Sequence, residues 1–365
     1  MTDALLMCGV HKAFGSTRAL HDVSLSVSAG EYLTILGPSG SGKSSLLRAI
    51  AGFDRPDAGS IEVLGQDVAG LPAHQRGVGF VFQSFALFPH LTVADNVAFG
   101  LRFRQQNPVH DVAQRNREVD AALELVGLAG FGARDVAQIS GGQRQRVALA
   151  RCLVCKPRLI LLDEPLGALD AGLRNQMTLE LARIQRQLGS TFLHVTGNEQ
   201  EALAMGSRVA VLDGGQLIQV DSPRQLFERP ASPRVARLLN AYNSVAGRAR
   251  AGRLEGAGFS VALPEAMHQL SGDAVCLVRS DLVEASPLGD GDGGEGGSAG
   301  AVCGRYVASE YAGSRVLALF DVGAEHPFEV EYQLGHIRPP EFTAGQRYAL
   351  RWQPQHALAY AAHAS

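Results

Sequence analysis

Short apolar, β-rich runs recur through the first 240 residues and alternate with stretches whose apolar positions follow a helical spacing. The runs that predict strands are YLTILG, GVGFVFQ, LILLDEP, TFLHVT and RVAVLDGG. Between them lie helix-like stretches such as SLLRAIAG and GGQRQRVALARCL. Because strands that alternate with helices usually pair in parallel, this pattern predicts an α/β domain with a largely parallel sheet.

The pattern changes after SPRVARLLNAYN, where long helical stretches give way to short β-like pieces separated by turns. Those pieces are AVCLVRSDLV, RVLALFDV, PFEVEYQL and RYALRWQP. They predict a small all-β domain over residues 241–365. Within that domain, GDGDGGEGGSAG at 289–300 is too rich in glycine and acidic residues to pack, so we expect a mobile surface insertion.

Length and charge narrow the class of protein. At 365 residues the chain is longer than one hydrophobic core usually grows, so two domains are expected. A formal net charge of −3 argues against a dedicated nucleic-acid binder, which carries a basic excess. The sequence shows neither a secretory leader nor a run of about 18 apolar residues, so we expect a cytoplasmic protein that reaches a membrane only through partners.

A phosphate-binding motif follows the first strand-like run. GPSGSGKS at 37–44 fits G-x-x-x-x-G-K-[ST], and it lies between YLTIL and SLLRAIAG, which is the strand-to-helix context that a P-loop requires. Its glycines let backbone N–H groups turn inward around phosphates, and the following helix adds its positive dipole end. Lys43 is expected to contact the β- and γ-phosphates of a nucleotide, and the Ser44 hydroxyl to ligate Mg²⁺.

Two carboxylates end another strand-like run. RLILLDEP at 158–165 delivers Asp163 and Glu164 at the carboxyl end of a buried strand, the edge at which ligands bind in an open α/β sheet. Asp163 is expected to hold Mg²⁺ through water, and Glu164 to polarise the water that attacks the phosphate.

A second anion-binding arrangement has no P-loop lysine. ISGGQRQRVALARCL at 139–153 places Ser-Gly-Gly at the start of a predicted helix, where backbone N–H groups attract phosphate. The chain therefore holds one complete phosphate site and one partial site. The simplest account is that two chains share each nucleotide, the partial site of one closing over the complete site of the other.

Together these motifs resemble the ATP-binding subunit of ABC transporters. The P-loop, Gln83 in FVFQ, the signature ISGGQ, LLDEP and LGALD at 166–170 occur in the order and at the spacings of that family. The resemblance implies an α/β P-loop NTPase domain of the ABC ATPase type over 1–240, with a helical subdomain at about 85–155. It implies that the β-rich domain at 241–365 is OB-like, of the TOBE kind.

The resemblance also assigns roles to residues. Phe14 aligns with the aromatic residue that stacks on adenine, and Asp170 with one that braces the dimer interface. The catalytic group is Glu164, Lys43 and Gln83. The Mg²⁺ ligands are Ser44, Gln83 and Asp163. The residues expected to bind ATP in the same chain are Phe14, Gly37, Pro38, Ser39, Gly40, Ser41, Gly42, Lys43, Ser44 and Ser45. Those expected to reach the ATP of the opposite subunit are Ser140, Gly141, Gly142 and Gln143.

The partners implied by the resemblance are a second copy of the chain, arranged head to tail around two ATP molecules, and two transmembrane permease subunits. The segment SFALFPHLTVADNVAFGL resembles the surface that receives the permeases, and a periplasmic solute-binding protein acts indirectly. The chain is then peripheral, at the cytoplasmic face of the inner membrane. Its N-terminal domain resembles ATPases of the spermidine/putrescine and ferric-iron importers, although the permease and binding protein select the solute.

One position departs from the family. The strand after LGALD normally ends in V-T-H-D-Q-x-E-A, whose histidine contacts the γ-phosphate and orients water. Here Val195, Thr196, Glu201 and Ala202 fit that frame, but the histidine position is Gly197. His194 lies three residues upstream, about 10 Å away in a strand and on the opposite face, so it is expected to be a strand residue and not a substitute.

Three functions remain open from the sequence. The first is an ATP-hydrolysing importer subunit, in which the loss at Gly197 slows hydrolysis by an amount on the order of 10²–10³ while ATP binding persists. The second is a soluble ABC protein of translation or DNA repair, although such proteins usually carry two cassettes or a coiled-coil insertion. The third is a regulatory ATP-binding protein with little hydrolysis.

Overall fold

The computed structural model describes residues 3–102, 108–288, 298–335 and 339–362. The chain forms two compact units, Met1–Leu226 and Phe227–Ser365. Residues 289–297 of the predicted glycine-rich insertion lie outside the described residues. The domain boundary expected at residue 240 stays a prediction.

Strands and helices alternate through most of the first unit. Its strands are β1 (Asp3–Phe14), β2 (Thr17–Ser28), β3 (Tyr32–Leu36), β4 (Ala58–Val63), β5 (Gln66–Asp67), β6 (Val78–Val81), β7 (Leu159–Asp163), β8 (Thr191–Thr196), β9 (Arg208–Asp213) and β10 (Gln216–Asp221). Its helices are α1 (Lys43–Ala51), α2 (Val93–Ala98), α3 (Val112–Leu125), α4 (Gly141–Leu153), α5 (Ala171–Leu188), α6 (Glu199–Met205) and, at the unit boundary, α7 (Pro223–Glu228).

A six-stranded sheet in the order β10-β9-β3-β8-β7-β6 forms the centre of this unit. All its pairings are parallel except that of β10 with β9. The register sets Leu36 of β3 beside Thr196 of β8, and Asp163 of β7 beside Val195. The P-loop, the two carboxylates and the turn at Gly197 therefore leave the same edge of the sheet. The five predicted strands and the largely parallel sheet are confirmed.

Both faces of the parallel sheet are buried, as expected for strands that read as continuous apolar runs. One face, with Leu33 and Leu193, packs against α1 and a second sheet in the order β2-β1-β4-β5. The other face, with Phe192 and Leu162, packs against helices that include α4 and α5. The antiparallel second sheet was not predicted. Three described helices, α2, α3 and α4, fall in the segment 85–155 that was predicted to be a helical subdomain.

The second unit is dominated by two sheets, ordered β16-β13-β12-β11-β14-β21 and β15-β20-β17-β18-β19. Its described elements are α8 (Pro233–Leu238), β11 (Tyr242–Arg250), β12 (Arg253–Gly256), β13 (Phe259–Ala262), β14 (Gly272–Arg279), β15 (Glu284–Pro287), β16 (Ser298–Ala299), β17 (Val302–Tyr311), β18 (Arg315–Asp321), β19 (Phe328–Gln333), β20 (Arg347–Arg351) and β21 (Ala357–Ala361). Side chains from both sheets, such as Cys276, Phe320 and Tyr348, share one core. The predicted β-rich domain is confirmed, and its OB-like assignment stays a prediction. Among the described residues, no helix is both long enough and apolar enough to cross a membrane.

Candidate functional site

The P-loop is shaped by close backbone contacts that only glycine allows. A Cβ atom on Gly37 would lie 2.2 Å from the carbonyl oxygen of Leu212, and one on Gly42 would lie 2.3 Å from that of Ala19. Gly42 also has a φ of 103°, in the left-handed region, where it begins helix α1. These glycines pack against neighbouring backbone on the outer side of the loop. The inner side of the loop is therefore left open for phosphates.

Lys43 is held at the centre of this loop. Its ammonium donates hydrogen bonds to the carbonyl oxygens of Gly37 and Pro38, each at 2.9 Å, and lies 3.5 Å from a carboxylate oxygen of Glu164. The Ser41 hydroxyl nearby is buried and has no hydrogen-bond partner among the described residues. A buried hydroxyl of this kind is normally satisfied by a ligand or water, so the loop fits an anion. The geometry matches what a nucleotide phosphate needs.

Asp163 and Ser44 form the part of the site that suits Mg²⁺. Asp163 ends β7, and one of its carboxylate oxygens accepts a hydrogen bond of 3.0 Å from the Ser44 hydroxyl. Burial raises the pKa of Asp163 and outweighs the effect of that hydrogen bond. Carboxylate and hydroxyl oxygens are hard ligands, which Mg²⁺ prefers. The pair would hold the ion, whose charge offsets that of the phosphates.

Glu164 is held in an unusual backbone conformation. Its φ is 42°, which a non-glycine residue adopts only at a strain that surrounding structure must compensate. Its N–H donates to the carbonyl oxygen of Val195 at 3.1 Å, and its carboxylate accepts a hydrogen bond of 2.9 Å from the Gln83 amide. Glu164 therefore lies beside both Lys43 and Gln83, with a carboxylate that can accept a proton.

Most of the predicted nucleotide-binding residues line one cavity of about 460 Å³, a size typical of ligand sites, whereas Gly37, Pro38, Ser41 and Asp163 are not in its wall. The predicted residues in its wall are Phe14, Ser39, Gly40, Gly42, Lys43, Ser44, Ser45, Gln83 and Glu164. Phe14 is 48% exposed, which leaves its aromatic side chain accessible to a base, and the Lys12 ammonium lies 5.3 Å from the centre of its ring. Thr17, Arg18 and Ala19 also line the cavity and were missed. Their position in the hairpin directly after Phe14 was the available signal.

Gly197 lies against the first glycine of the P-loop. A Cβ added to Gly197 would meet only the carbonyl oxygen of Gly37, at an ordinary contact distance of 3.7 Å. The preceding residue, Thr196, accepts a hydrogen bond of 3.3 Å from the Gly37 N–H. Asn198 caps helix α6 by accepting a hydrogen bond from the Glu201 N–H at 2.9 Å. Position 197 is therefore next to the P-loop, with space for a side chain.

His194 lies in β8, as expected of a strand residue, and it is fully buried inside the unit. Its Nδ1 lies 3.1 Å from the hydroxyl of Tyr32, and it belongs to the opposite face of the strand from Leu193 and Val195. Burial lowers its pKa to about 3, so the ring is neutral near pH 7. His194 therefore does not replace the missing histidine at position 197.

The signature residues lie apart from the P-loop of the same chain. Ser140 caps helix α4, where its hydroxyl accepts from the Gln143 N–H at 3.3 Å and its own N–H donates to the Gln143 side chain at 2.9 Å. Ser140, Gly142 and Gln143 line a separate cavity of about 250 Å³ that shares none of the P-loop residues. Asp170 likewise caps α5. The structure brings together the residues that were predicted to bind ATP in the same chain. The signature residues lie at a separate site.

A larger cavity, of about 840 Å³, lies at the opposite edge of the parallel sheet. Its lining includes Gly30, Arg158 and Thr191, which lie at or just before the amino ends of β3, β7 and β8. It contains none of the predicted phosphate or carboxylate residues. Size therefore does not identify the functional site here, whereas the clustering of Lys43, Asp163 and Glu164 does.

Comparison with known proteins identifies the family of this chain. A family profile described as ABC transporter matches residues 20–167. The uncharacterized ABC transporter ATP-binding protein YdcT of Escherichia coli (strain K12) is 48% identical over 243 residues, which cover 67% of this chain and 71% of that protein. The spermidine/putrescine import ATP-binding protein PotA of Acidothermus cellulolyticus is 49% identical over 243 residues, which cover 67% of this chain and 62% of that protein.

A solved structure shares the fold of the first unit. The dimeric structure of a post-hydrolysis state of the ATP-binding cassette MJ0796, bound to ADP and Pi, is similar with a TM-score of 0.55 and 32% sequence identity. The match covers 60% of this chain and 99% of the other. The predicted ABC ATPase fold is therefore confirmed. With a P-loop cavity, two strand-end carboxylates and these relatives, the chain belongs to the ABC transporter ATP-binding proteins.

Proposed function

We propose that this chain is the ATP-hydrolysing subunit of an ABC importer. The single observation that carries the proposal is the meeting of Lys43, Ser44, Asp163, Glu164 and Gln83 at one edge of the sheet. This set has a cation for phosphate, oxygen ligands for Mg²⁺ and a carboxylate beside an amide. Such a set matches hydrolysis of a nucleoside triphosphate.

Each residue has a distinct part in the proposed reaction. The P-loop N–H groups and Lys43 bind the phosphates, and Phe14 stacks on the base. Ser44 and Asp163 hold Mg²⁺, assisted by Gln83. Glu164 accepts the proton of the attacking water while Gln83 and Lys43 fix the direction of its carboxylate. Mg²⁺, when bound, neutralises charge on the phosphates.

The proposal is tested by Mg²⁺-dependent ATP hydrolysis of the purified chain. Replacing Glu164 with Gln removes the base but keeps its size, so kcat should fall about 10²- to 10⁴-fold while ATP still binds. The matched control is Glu180→Gln on helix α5, a surface carboxylate paired with Arg183. Equal activity of Glu164→Gln and wild type, or a wild type with no activity, would contradict the proposal.

The partners follow from the same proposal. Two copies of the chain would enclose two ATP molecules, with Ser140, Gly141, Gly142 and Gln143 of one copy facing the P-loop of the other. The dimer would bind two permease subunits as a peripheral protein at the cytoplasmic face of the membrane, and the permeases would receive solute from a periplasmic binding protein. The OB-like assignment of the second unit belongs to this proposal.

For the solute we propose a polyamine, because a relative named for spermidine/putrescine import is 49% identical over 243 residues. Ferric iron, the other expected solute, has no such support. Uptake of labelled putrescine by cells with and without the gene tests this assignment, and equal uptake would contradict it. The regulatory, non-hydrolysing alternative is not favoured, since the relatives named above are transporter subunits.

A further inference from the structure

We propose that Glu201 and Arg174 are positioning residues for hydrolysis. Together they fix the turn at Gly197 relative to the LGALD loop, residues 166–170, and so hold Glu164 between these two segments. This inference rests on the proposed ATP hydrolysis. Neither residue lines the nucleotide cavity, so both act through other groups.

Glu201 holds the turn at Gly197 from behind. Its side chain is 5% exposed, and one carboxylate oxygen accepts a hydrogen bond of 2.7 Å from the Thr196 hydroxyl. That same hydroxyl accepts from the Asn198 N–H at 3.0 Å, and the Asn198 side chain accepts from the Glu201 N–H at 2.9 Å. Both residues that flank Gly197 are therefore tied to Glu201.

Arg174 connects this carboxylate to the LGALD loop. Its Nε lies 3.4 Å from the other carboxylate oxygen of Glu201. Its Nη2 donates a hydrogen bond of 3.0 Å to the carbonyl oxygen of Leu169, inside the loop. Because Arg174 is in the first turn of α5, which Asp170 caps, the guanidinium joins the loop to the turn at Gly197 through one ion pair.

Glu164 lies between the two joined segments. Its N–H donates to the carbonyl oxygen of Val195, next to Thr196, at 3.1 Å. Its carbonyl oxygen accepts from the Gly167 N–H, in the LGALD loop, at 3.2 Å. The strained φ of Glu164 persists only where its surroundings impose it. Glu201 and Arg174 close the ring of contacts that imposes it.

This arrangement predicts an effect on the chemical step and not on binding. The phosphates are held by the P-loop, which contacts neither Glu201 nor Arg174 directly and meets the turn at Gly197 through one backbone hydrogen bond, from the Gly37 N–H to the carbonyl oxygen of Thr196. A small displacement of Glu164 lowers the rate because the attacking water is then misplaced. We therefore expect Glu201→Gln and Arg174→Gln each to lower kcat about tenfold, while KM for MgATP stays within about twofold.

Because the two residues act through one ion pair, their effects should not add. The double variant should have a kcat close to that of the slower single variant, whereas independent residues would give a product near a hundredfold. The matched control is Glu31→Gln. Glu31 is 9% exposed, is paired with Arg208 at 3.1 Å and accepts from the Ser28 N–H, but it precedes β3, at the other end of that strand from the P-loop.

The assay is steady-state hydrolysis of MgATP by the full chain, with the melting temperature of each variant recorded. We expect kcat to fall in both single variants and the two losses not to add in the double variant. The kcat of Glu31→Gln should stay within about twofold of wild type. Unchanged kcat in both single variants, additive losses, or an equal loss in Glu31→Gln would overturn the inference. If Glu201→Gln does not fold, the kcat of Arg174→Gln alone tests the inference. Arg174 is more exposed than Glu201, so its replacement is better tolerated. An inactive wild type would instead overturn the proposed function.

Discussion

Position 197 has space for the side chain that it lacks. The nearest atom to a Cβ added there, the Gly37 carbonyl oxygen, is 3.7 Å away, and the φ of Gly197 lies outside the left-handed region. We expect Gly197→His to raise kcat for ATP at least about tenfold, because a donor then reaches the transferring phosphate. Gly197→Ala is the control, since it adds a side chain without a donor and should leave kcat unchanged. Steady-state assays compare the three proteins, and a histidine variant no faster than wild type would contradict this expectation.

A second residue-scale prediction concerns His194 and pH. Its pKa is lowered to about 3 in the folded chain from an ordinary value near 6.5, so the unfolded chain binds the proton first. The stability that this pKa difference contributes is fully present above pH 6.5. It is lost as the pH falls towards 3, at roughly 1.4 kcal/mol per pH unit. Urea unfolding followed by circular dichroism at pH 7 and pH 5 measures this loss. The decrease in the free energy of unfolding from pH 7 to pH 5 should be about 2 kcal/mol larger in wild type than in His194→Asn. Equal losses would show that His194 does not titrate on unfolding.

At the scale of the element, the buried guanidinium of Arg76 caps the carboxyl end of helix α1. Arg76 donates to the carbonyl oxygens of Ala49 at 2.7 Å and Ile50 at 3.1 Å, and also to Leu71 at 2.8 Å. Arg76→Met should lower the free energy of unfolding by about 2–3 kcal/mol, because these buried carbonyls lose a charged donor. Arg48→Met, in which a half-exposed pair with Asp54 is lost, should cost less than about 1 kcal/mol. Similar losses in the two variants, measured by urea unfolding, would argue against the closing role of Arg76.

The elements that the sequence predicts are those whose signal is local. The P-loop is recognised because a strand, eight motif residues and helix α1 are consecutive, and Asp163 because it ends an apolar run. The cap by Arg76 depends on carbonyls 26 and 27 residues away, and the ion pair of Arg174 with Glu201 joins two different helices. No local pattern marks such contacts. The contact that holds Glu164 at its positive φ is likewise partly distant, since its N–H donates to the carbonyl oxygen of Val195, 31 residues further along the chain.

At the scale of the whole molecule, the separation of the signature from the P-loop predicts dimerisation on ATP. In the Glu164→Gln background, which keeps ATP bound, ATP and Mg²⁺ should shift the chain from monomer to dimer in size-exclusion chromatography. Adding Ser140→Arg should abolish the dimer, because a long side chain replaces the cap that would face the other copy's nucleotide. Adding Ser314→Arg, at an exposed position of the second unit, is the control. An unaltered dimer with Ser140→Arg would contradict the head-to-tail arrangement, provided that the affinity for ATP is equal in both.

The carbonyl oxygen of Ala19 has a consequence for which ligands the site can accept. Gly42 of the P-loop packs against it on one side, and Gly215, in the turn between β9 and β10, on another, with distances of 2.3 and 2.8 Å to the positions of added Cβ atoms. The hairpin that carries Phe14 therefore meets Gly42 of the P-loop through a backbone carbonyl oxygen, at a distance that leaves no space for a Cβ atom. The distance between the Phe14 ring and the P-loop is therefore set by the backbone. Exchanging the side chain at position 14 can alter which base is preferred, while the base-to-phosphate length that fits stays the same.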